Sequence, residues 1–152
     1  MNDYSAGIGL RKLLGIHVAR AADTLPQTAA EALFTIAGGR VLLIAIVGEV
    51  TVIMGATANN TKLTSTPTVG TAVDMCAVLA TQNDEVGCLY GITGLPSDAL
   101  VGTNAGFAPW PYRSQVLPAG TIDLDCAGNN TGSVKWDLFY VPVDVGASVV
   151  AA

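Results

Sequence analysis

The sequence predicts an all-β protein, a jelly-roll-like antiparallel β-sandwich or barrel preceded by an N-terminal arm. Three observations support this prediction. The longest apolar stretch, residues 32–58, is rich in β-branched side chains and is interrupted by glycines and charges. Apolar and polar residues alternate with a period of two over residues 121–126 and 134–141. Turn-forming residues recur between these stretches at the short spacings typical of sandwiches and barrels.

The apolar stretch is interpreted as a pair of core strands broken at Gly48. Arg40 and Glu49 bracket an uninterrupted apolar run over residues 41–47, whereas a spanning helix needs about 20 apolar residues. A charge such as Glu49 is also costly near a bilayer centre, so no membrane partner is expected. Continuous hydrophobicity predicts that both strand faces are covered. We expect one face inside the sandwich and the other beneath the arm or a neighbouring subunit.

A chain of 152 residues is long enough for one domain with a core of its own. We assign residues 1–28 to the arm and residues 29–152 to the sandwich. The arm contains apolar residues near helical spacing and three glycines that weaken a helix, so it is predicted as an arm that contains at most a short amphipathic helix and becomes ordered on a neighbour. The apolar residues are Leu10, Leu13, Leu14 and Val18. A frayed terminus without a role is the alternative.

The remaining elements are predicted from turns and prolines. Residues 61–68 are expected to form a polar loop, residues 70–81, 86–93 and 99–103 to form strands, and residues 106–113 to form a loop because Pro109 and Pro111 lack ladder donors. The alternating runs at 121–126 and 134–141 are predicted to pair as a hairpin through the turn at residues 128–132.

The three cysteines are predicted to be buried, reduced thiols. If residues 82–85 form a hairpin turn, Cys76 lies opposite Gly91 and Cys88 opposite Leu79. Because side chains alternate between the faces of a strand, these two thiols would then point to opposite sides. A disulfide between subunits, which could also involve Cys126, is the alternative.

The composition is poor in charge, at 12% against roughly 25% in an average globular domain. Such a surface predicts burial in subunit contacts, hence a homo-oligomer. The first 22 residues carry a net charge of +2 from Arg11, Lys12 and Arg20 against Asp3, and the remainder carries −7. An acidic body argues against nucleic-acid binding. The three cations are expected to be solvated or to face a partner.

The sequence contains no recognisable catalytic or cofactor motif, and we expect no enzymatic activity. His17 is the one histidine and lies in the predicted arm, without the sequence context of a nucleophile. Asp123 and Asp125 share a predicted strand face, with Asp137 on the predicted neighbouring strand. These three carboxylates are interpreted as a solvated acidic face, with a hard-cation site as the alternative.

The loop at residues 106–113 carries the most suggestive surface residues. Trp110 stands between Pro109 and Pro111, with Phe107 and Tyr112 nearby. Rigid aromatic side chains are typical anchors at interfaces and for sugars. The alternative is a loop that plugs the open end of its own sandwich.

Many short segments between roughly Leu33 and Gly146 resemble structural proteins of tailed bacteriophages, in particular the head decoration, or cement, proteins. The segments that carry the resemblance are Ala37-Gly38-Gly39-Arg40-Val41 through Gly48-Glu49-Val50-Thr51, Ala58-Asn59-Asn60-Thr61-Lys62-Leu63, Pro67-Thr68-Val69-Gly70-Thr71 and Gly120-Thr121-Ile122-Asp123-Leu124.

The resemblance implies a trimer of β-sandwiches that clamps adjacent copies of the major capsid protein on the outside of the virion, with arms that reach to neighbours. Residues 1–22 lack the apolar region of a secretory signal, so synthesis in the cytoplasm of a bacterial host is expected. The alternative function is a receptor- or glycan-binding module of a phage tail tip or fibre. The candidate interface residues are Arg11, Lys12, Leu13, Leu14, Arg20, Trp110 and Tyr112.

Overall fold

The computed structural model describes residues 14–102, 104 and 106–152. These residues form two antiparallel sheets, which confirms the predicted all-β sandwich. The strands are β1 (Ile16–Thr24), β2 (Ala29–Ala37), β3 (Val41–Val52), β4 (Asn60–Pro67), β5 (Val73–Asp74), β6 (Leu79–Ala80), β7 (Leu89–Gly91), β8 (Gln115–Leu117), β9 (Gly120–Cys126), β10 (Ser133–Pro142) and β11 (Ser148–Ala151).

We call the sheet with the order β1-β10-β3 the front sheet. Its last edge is shared by β7 and β8, which pair with different parts of β3. The back sheet has the order β11-β2-β9-β4, and β5 and β6 both pair with β4 at its far edge. The core lies between the sheets. Its largest fully buried side chains include Phe34, Ile46, Leu63, Tyr90 and Trp136.

The apolar stretch forms strands, as predicted, but its break lies elsewhere. Gly38 and Gly39 have φ angles of 74° and 137°, which favour glycine, and they carry the chain from β2 in the back sheet to β3 in the front sheet. Gly48 instead lies within β3, opposite Trp136. A Cβ atom at Gly48 would lie 2.8 Å from Cζ3 of that indole. The glycine therefore makes room for the ring and does not end the strand.

Both faces of β3 are at least partly covered, and the cover on the outer face comes from the same chain. A Cβ atom at Gly91 of β7 would lie 3.0 Å from Cδ of Pro109, and the Trp110 ring contacts Phe139 of β10. Because β3 lies between β7 and β10, the loop at residues 106–113 crosses its outer face. Ala45, which pairs with Phe139, is completely buried. This loop supplies part of the outer cover, and cover of the rest of the face by the arm or by another subunit stays a prediction.

The predicted arm boundary at residue 28 also differs from the structure. Residues 16–24 form β1, an edge strand of the front sheet that pairs with β10. Val18, taken as part of a helical pattern, packs against the core from this strand. Strand β1 forms because it pairs with β10. This partner is more than 100 residues away in the sequence, so a local pattern cannot reveal the pairing. Leu10 and Leu13 lie outside the described residues.

Neither predicted hairpin is present. Strand β9 belongs to the back sheet and β10 to the front sheet, so the turn at residues 128–132 crosses between the layers. Similarly, β6 pairs with β4 and β7 with β3, and the register proposed for Cys76 and Cys88 is wrong. All three cysteine side chains are nevertheless buried, as predicted.

Other boundaries are corrected as well. The expected polar loop at 61–68 falls largely within β4, in which Thr64 and Thr66 alternate with the buried Leu63 and Ser65. The strand expected at 70–81 is reduced to the short β5 and β6. The strand expected at 86–93 contracts to β7, and that at 99–103 to isolated bridges at Ala99 and Val101. As predicted, residues 106–113 form a loop and belong to no strand.

Candidate functional site

The loop at residues 106–113 presents aromatic rings on the outer face of the front sheet. Trp110 lies against Phe139 with ring centroids 5.5 Å apart, and Phe139 stacks on His17 at 4.8 Å. Trp110 remains 49% exposed and Tyr112 66% exposed. The alternative of a loop that plugs the end of the sandwich is thereby corrected: the loop lies on a sheet face. We call Trp110, Tyr112, Phe107 and Phe139 the aromatic surface.

A carboxylate lies beside this surface. Thr93 Oγ1 donates a hydrogen bond to Asp98 Oδ2 at 2.7 Å, and the Tyr112 hydroxyl approaches the same oxygen at 3.5 Å. Ser97 Oγ lies 3.5 Å from Asp98 Oδ1. The backbone of residue 98 is also anchored, because the amide of Ala77 donates to its carbonyl. The Asp98 carboxylate is therefore held in a defined position next to Tyr112.

His17 belongs to the same sheet face. Its Nε2 lies 2.6 Å from Asp137 Oδ1, and its ring rests on Phe139. The imidazole joins β1 to β10 by these two contacts. Both residues are partly exposed, and they extend the row of rings toward the edge of the sheet.

Exposed valines lie at one end of the sandwich. Val69 follows β4, and Val143 and Val145 follow β10. The two loops lie at the same end of the sandwich. Pro67 of β4 pairs with Gly120 of β9, and Gly120 pairs with Ile36 of β2. Ile36 lies two residues before the Gly38 turn that leads to β3. Val69 is 89% exposed and Val145 is fully exposed. We call Val69, Val143 and Val145 the apolar end.

The charges next to the apolar end neutralise one another. Arg40 Nε and Nη2 donate to Asp144 Oδ2 and Oδ1 at 2.9 and 2.8 Å. The bidentate contact with Arg40 lowers the pKa of Asp144 to about 2. Strand β1 also begins at this end, since Ile16 pairs with Tyr140, two residues before β10 ends. The described part of the chain therefore begins near the apolar end.

The predicted interface residues have different surroundings. Leu14 is exposed, whereas Arg11, Lys12 and Leu13 lie outside the described residues. Arg20, expected to be solvated or to face a partner, is only 9% exposed. It lies between the sheets, with Nη2 3.4 Å from Asp23 and 3.7 Å from Glu31 of β2. That expectation is corrected: Arg20 links the two layers of its own chain.

Of the three acidic residues proposed as a face, Asp123 and Asp125 share one face of β9, as predicted, whereas Asp137 is separated from them. Asp123 is buried and accepts a hydrogen bond from Thr66 at 2.6 Å, and Asp125 lies 3.8 Å from Lys62 Nζ. Asp137 is in the other sheet, next to His17. Among the described residues, no group of three or more histidine, cysteine or acidic side chains is arranged to hold a metal ion.

Sequence reasoning found the aromatic loop but missed Asp98, His17 as part of the same surface, and the apolar end. Asp98 and Tyr112 are far enough apart in the sequence that no motif joins them. Isolated valines in loops also carry no pattern of their own. A useful signal was the position of Val69 and Val145 next to glycines, in segments without strand periodicity.

The fold places this chain among antiparallel β-sandwich proteins. No protein-family model, curated protein or solved structure matches it. Within residues 14–102, 104 and 106–152, no helix has both the length and the hydropathy needed to cross a bilayer.

Proposed function

We propose that this protein decorates and stabilises the exterior of a bacteriophage capsid, as a homotrimer that docks on the shell through its apolar end. The observation that carries the proposal is the grouping of Val69, Val143 and Val145 at the end where β1 begins. Exposed apolar groups next to a neutralised ion pair are suited to a protein contact. The low content of charged residues supports the same kind of contact between copies.

In this proposal the protein stabilises the capsid through the free energy of its binding to the shell. Each docked subunit removes apolar surface from water at about 25 cal/mol per Å², and the contact is repeated at many equivalent positions of the lattice. In the same proposal, residues 1–13, with Arg11 and Lys12, add contacts to the major capsid protein or to a neighbouring copy. Neither nucleic acid nor a membrane takes part.

The test is co-sedimentation of the purified protein with undecorated heads. We expect saturable binding that falls at least about tenfold in affinity in Val69→Asp/Val145→Asp, because a buried charge opposes the contact. Val86→Asp is the matched control, since Val86 is exposed in a loop next to Met54, at the other end of β3. Full-affinity binding by the double variant would contradict the proposal.

The arm is tested by deleting residues 2–13 and no further. A deletion through residue 28 would remove β1 from the front sheet, so that lost binding could reflect lost folding. The shorter deletion should weaken binding to heads and leave the thermal unfolding temperature unchanged.

The oligomeric state is tested separately. Sedimentation equilibrium measures the number of copies in the oligomer, and three copies are expected. Monomers at micromolar concentration would contradict the trimer.

A receptor-binding module of a tail tip or fibre is the second candidate, favoured by the exposed rings of Trp110 and Tyr112. Electron microscopy of particles labelled at the C-terminus separates the two candidates by location. Label over the capsid surface supports decoration, whereas label at the tail tip supports adhesion.

A further inference from the structure

The aromatic surface is built on a rigid support. Pro109 packs on Gly91, which has no side chain to keep it away, and Pro111 is buried. Trp110 is braced by Phe139. Because prolines fix φ and the indole has a packed neighbour, little conformational freedom remains to be lost when a ligand binds. The rings are thus preorganised and still open to solvent.

Exposed aromatic rings grouped on one part of a surface mark a binding site. Phe107, Trp110 and Tyr112 are all large apolar groups that project from one short loop, and each is about half exposed or more. A different part of the surface, the apolar end, is proposed to bind the capsid. The aromatic surface lies outside the proposed docking contact and is open to a ligand of its own.

Hydrogen-bonding capacity next to the rings narrows the ligand class. An ionised carboxylate offers about four lone-pair positions. Asp98 receives one short hydrogen bond, from Thr93, while the contacts from Ser97 and Tyr112 are both 3.5 Å long. Asp98 can therefore accept hydrogen bonds from ligand hydroxyl groups, and the Tyr112 hydroxyl can donate or accept one.

An aromatic face beside a carboxylate fits a pyranose ring. Such a sugar presents C–H groups on its face, which pack on aromatic rings, and hydroxyl donors at its periphery, which suit a carboxylate. A negatively charged sugar would meet both Asp98 and the net charge of −5, and like charges repel. We propose that Trp110, Tyr112 and Asp98 form a binding site for neutral hexose residues of a glycan. This inference goes beyond capsid decoration and does not depend on it.

The test uses the full chain and defined oligosaccharides. Glucose, galactose and mannose oligomers, together with sialylated and uronic-acid glycans, are presented on an array, and the affinity of each hit is measured by calorimetry. We expect binding of at least one neutral oligomer and weaker binding of its acidic counterparts. Absence of neutral binding, preference for acidic glycans, or capture of peptides alone would overturn the proposal.

Variants identify the residues. Trp110→Ala and Asp98→Asn should each raise Kd by about tenfold, the scale of one lost stacking or charged hydrogen-bond contact, whereas Trp110→Phe should retain most of the affinity. Val145→Asp is the control and should bind the sugar normally. Unchanged affinity in Trp110→Ala, with an unchanged thermal unfolding temperature, would overturn the assignment.

Two further measurements keep the proposals separate. The chain contains two tryptophans, of which Trp136 is buried, so a ligand-induced change in fluorescence should come from Trp110 and disappear in Trp110→Phe. Trp110→Ala should still co-sediment with undecorated heads. Loss of sugar binding without loss of capsid binding distinguishes this site from the apolar end, and a failure of either proposal leaves the other testable.

Discussion

The hydroxyl of Tyr90 donates a hydrogen bond to Asp84 Oδ2 at 2.6 Å, and both side chains are buried. Tyr90 lies in β7 and Asp84 in the loop that precedes it, next to Met54, whose amide donates to the Asp84 carbonyl. Burial raises the pKa of Asp84, while the hydrogen bonds from Tyr90 and from the backbone of Asn104 act in the opposite direction. The hydrogen bond between Tyr90 and the buried Asp84 therefore links β7 to the loop that precedes it.

The linkage between Asp84 and pH has a definite sign. Because the folded-state pKa of Asp84 lies above its unfolded value of about 3.9, the folded protein binds the proton more tightly. The resulting stabilisation is complete below the unfolded value and is lost as the pH rises through the folded value. The ionised form of Asp84, which prevails above the folded pKa, therefore depends most on these hydrogen bonds.

Tyr90→Phe should lower the free energy of unfolding by about 1–3 kcal/mol at pH 7, since it leaves a buried acceptor without its donor. The loss should be smaller near pH 4, because the variant raises the pKa of Asp84 further and the protonated acid needs the hydrogen bond less. Urea unfolding at both pH values measures the difference. Tyr112→Phe, at an exposed tyrosine, is the control and should change little; a Tyr90→Phe loss independent of pH would contradict this account.

Gly48→Ala should destabilise the front sheet. The added Cβ would lie 2.8 Å from the Trp136 ring, which is fixed in the core, and overpacking of this kind costs about 1–3 kcal/mol. Gly106→Ala is the matched control, because a Cβ there meets no atom within 4 Å. Urea unfolding of both variants tests the expectation. Equal stability of the two would show that the indole moves freely.

Asp144 should titrate at a pKa of about 2, held low by the contacts with Arg40. In Arg40→Gln the pKa should return toward about 3.9. Carbon-13 NMR of the side-chain carboxyl measures both values. The sign follows from the lowered pKa: the ion pair contributes above the unfolded value, and that contribution is lost as the pH falls toward 2. A normal pKa in the wild-type protein would mean that the bidentate contact is absent in solution.

The cysteines should resist alkylation while the protein is folded. All three are buried, and burial raises the thiol pKa of Cys76 and Cys126, which lowers the fraction of reactive thiolate. Treatment with iodoacetamide at pH 8, followed by mass spectrometry, should give unmodified native protein and three modifications in urea. Rapid modification of the native chain would contradict the buried positions.

The amino-acid sequence alone determined that β3, β9 and β10 become strands and which side chains of β10 enter the core. The alternation in residues 134–141 places Val134, Trp136, Leu138 and Tyr140 inside, where the structure buries all four. The continuous apolar run of β3 likewise predicted two covered faces. These features are local, because the residue types at neighbouring positions determine which face of a strand is apolar.

Only the tertiary structure decided which strands pair and what covers them. A glycine- and asparagine-rich turn serves equally to close a hairpin or to cross between layers, so the pattern of β9 and β10 could not assign them to different sheets. Residues 16–24 become an edge strand because β10 accepts them, and His17 meets Asp137 across 120 residues of sequence. The loop carrying Trp110 covers β3 because Gly91 leaves space for Pro109. Partners this distant are selected by packing of the whole sandwich, and no local pattern encodes that choice.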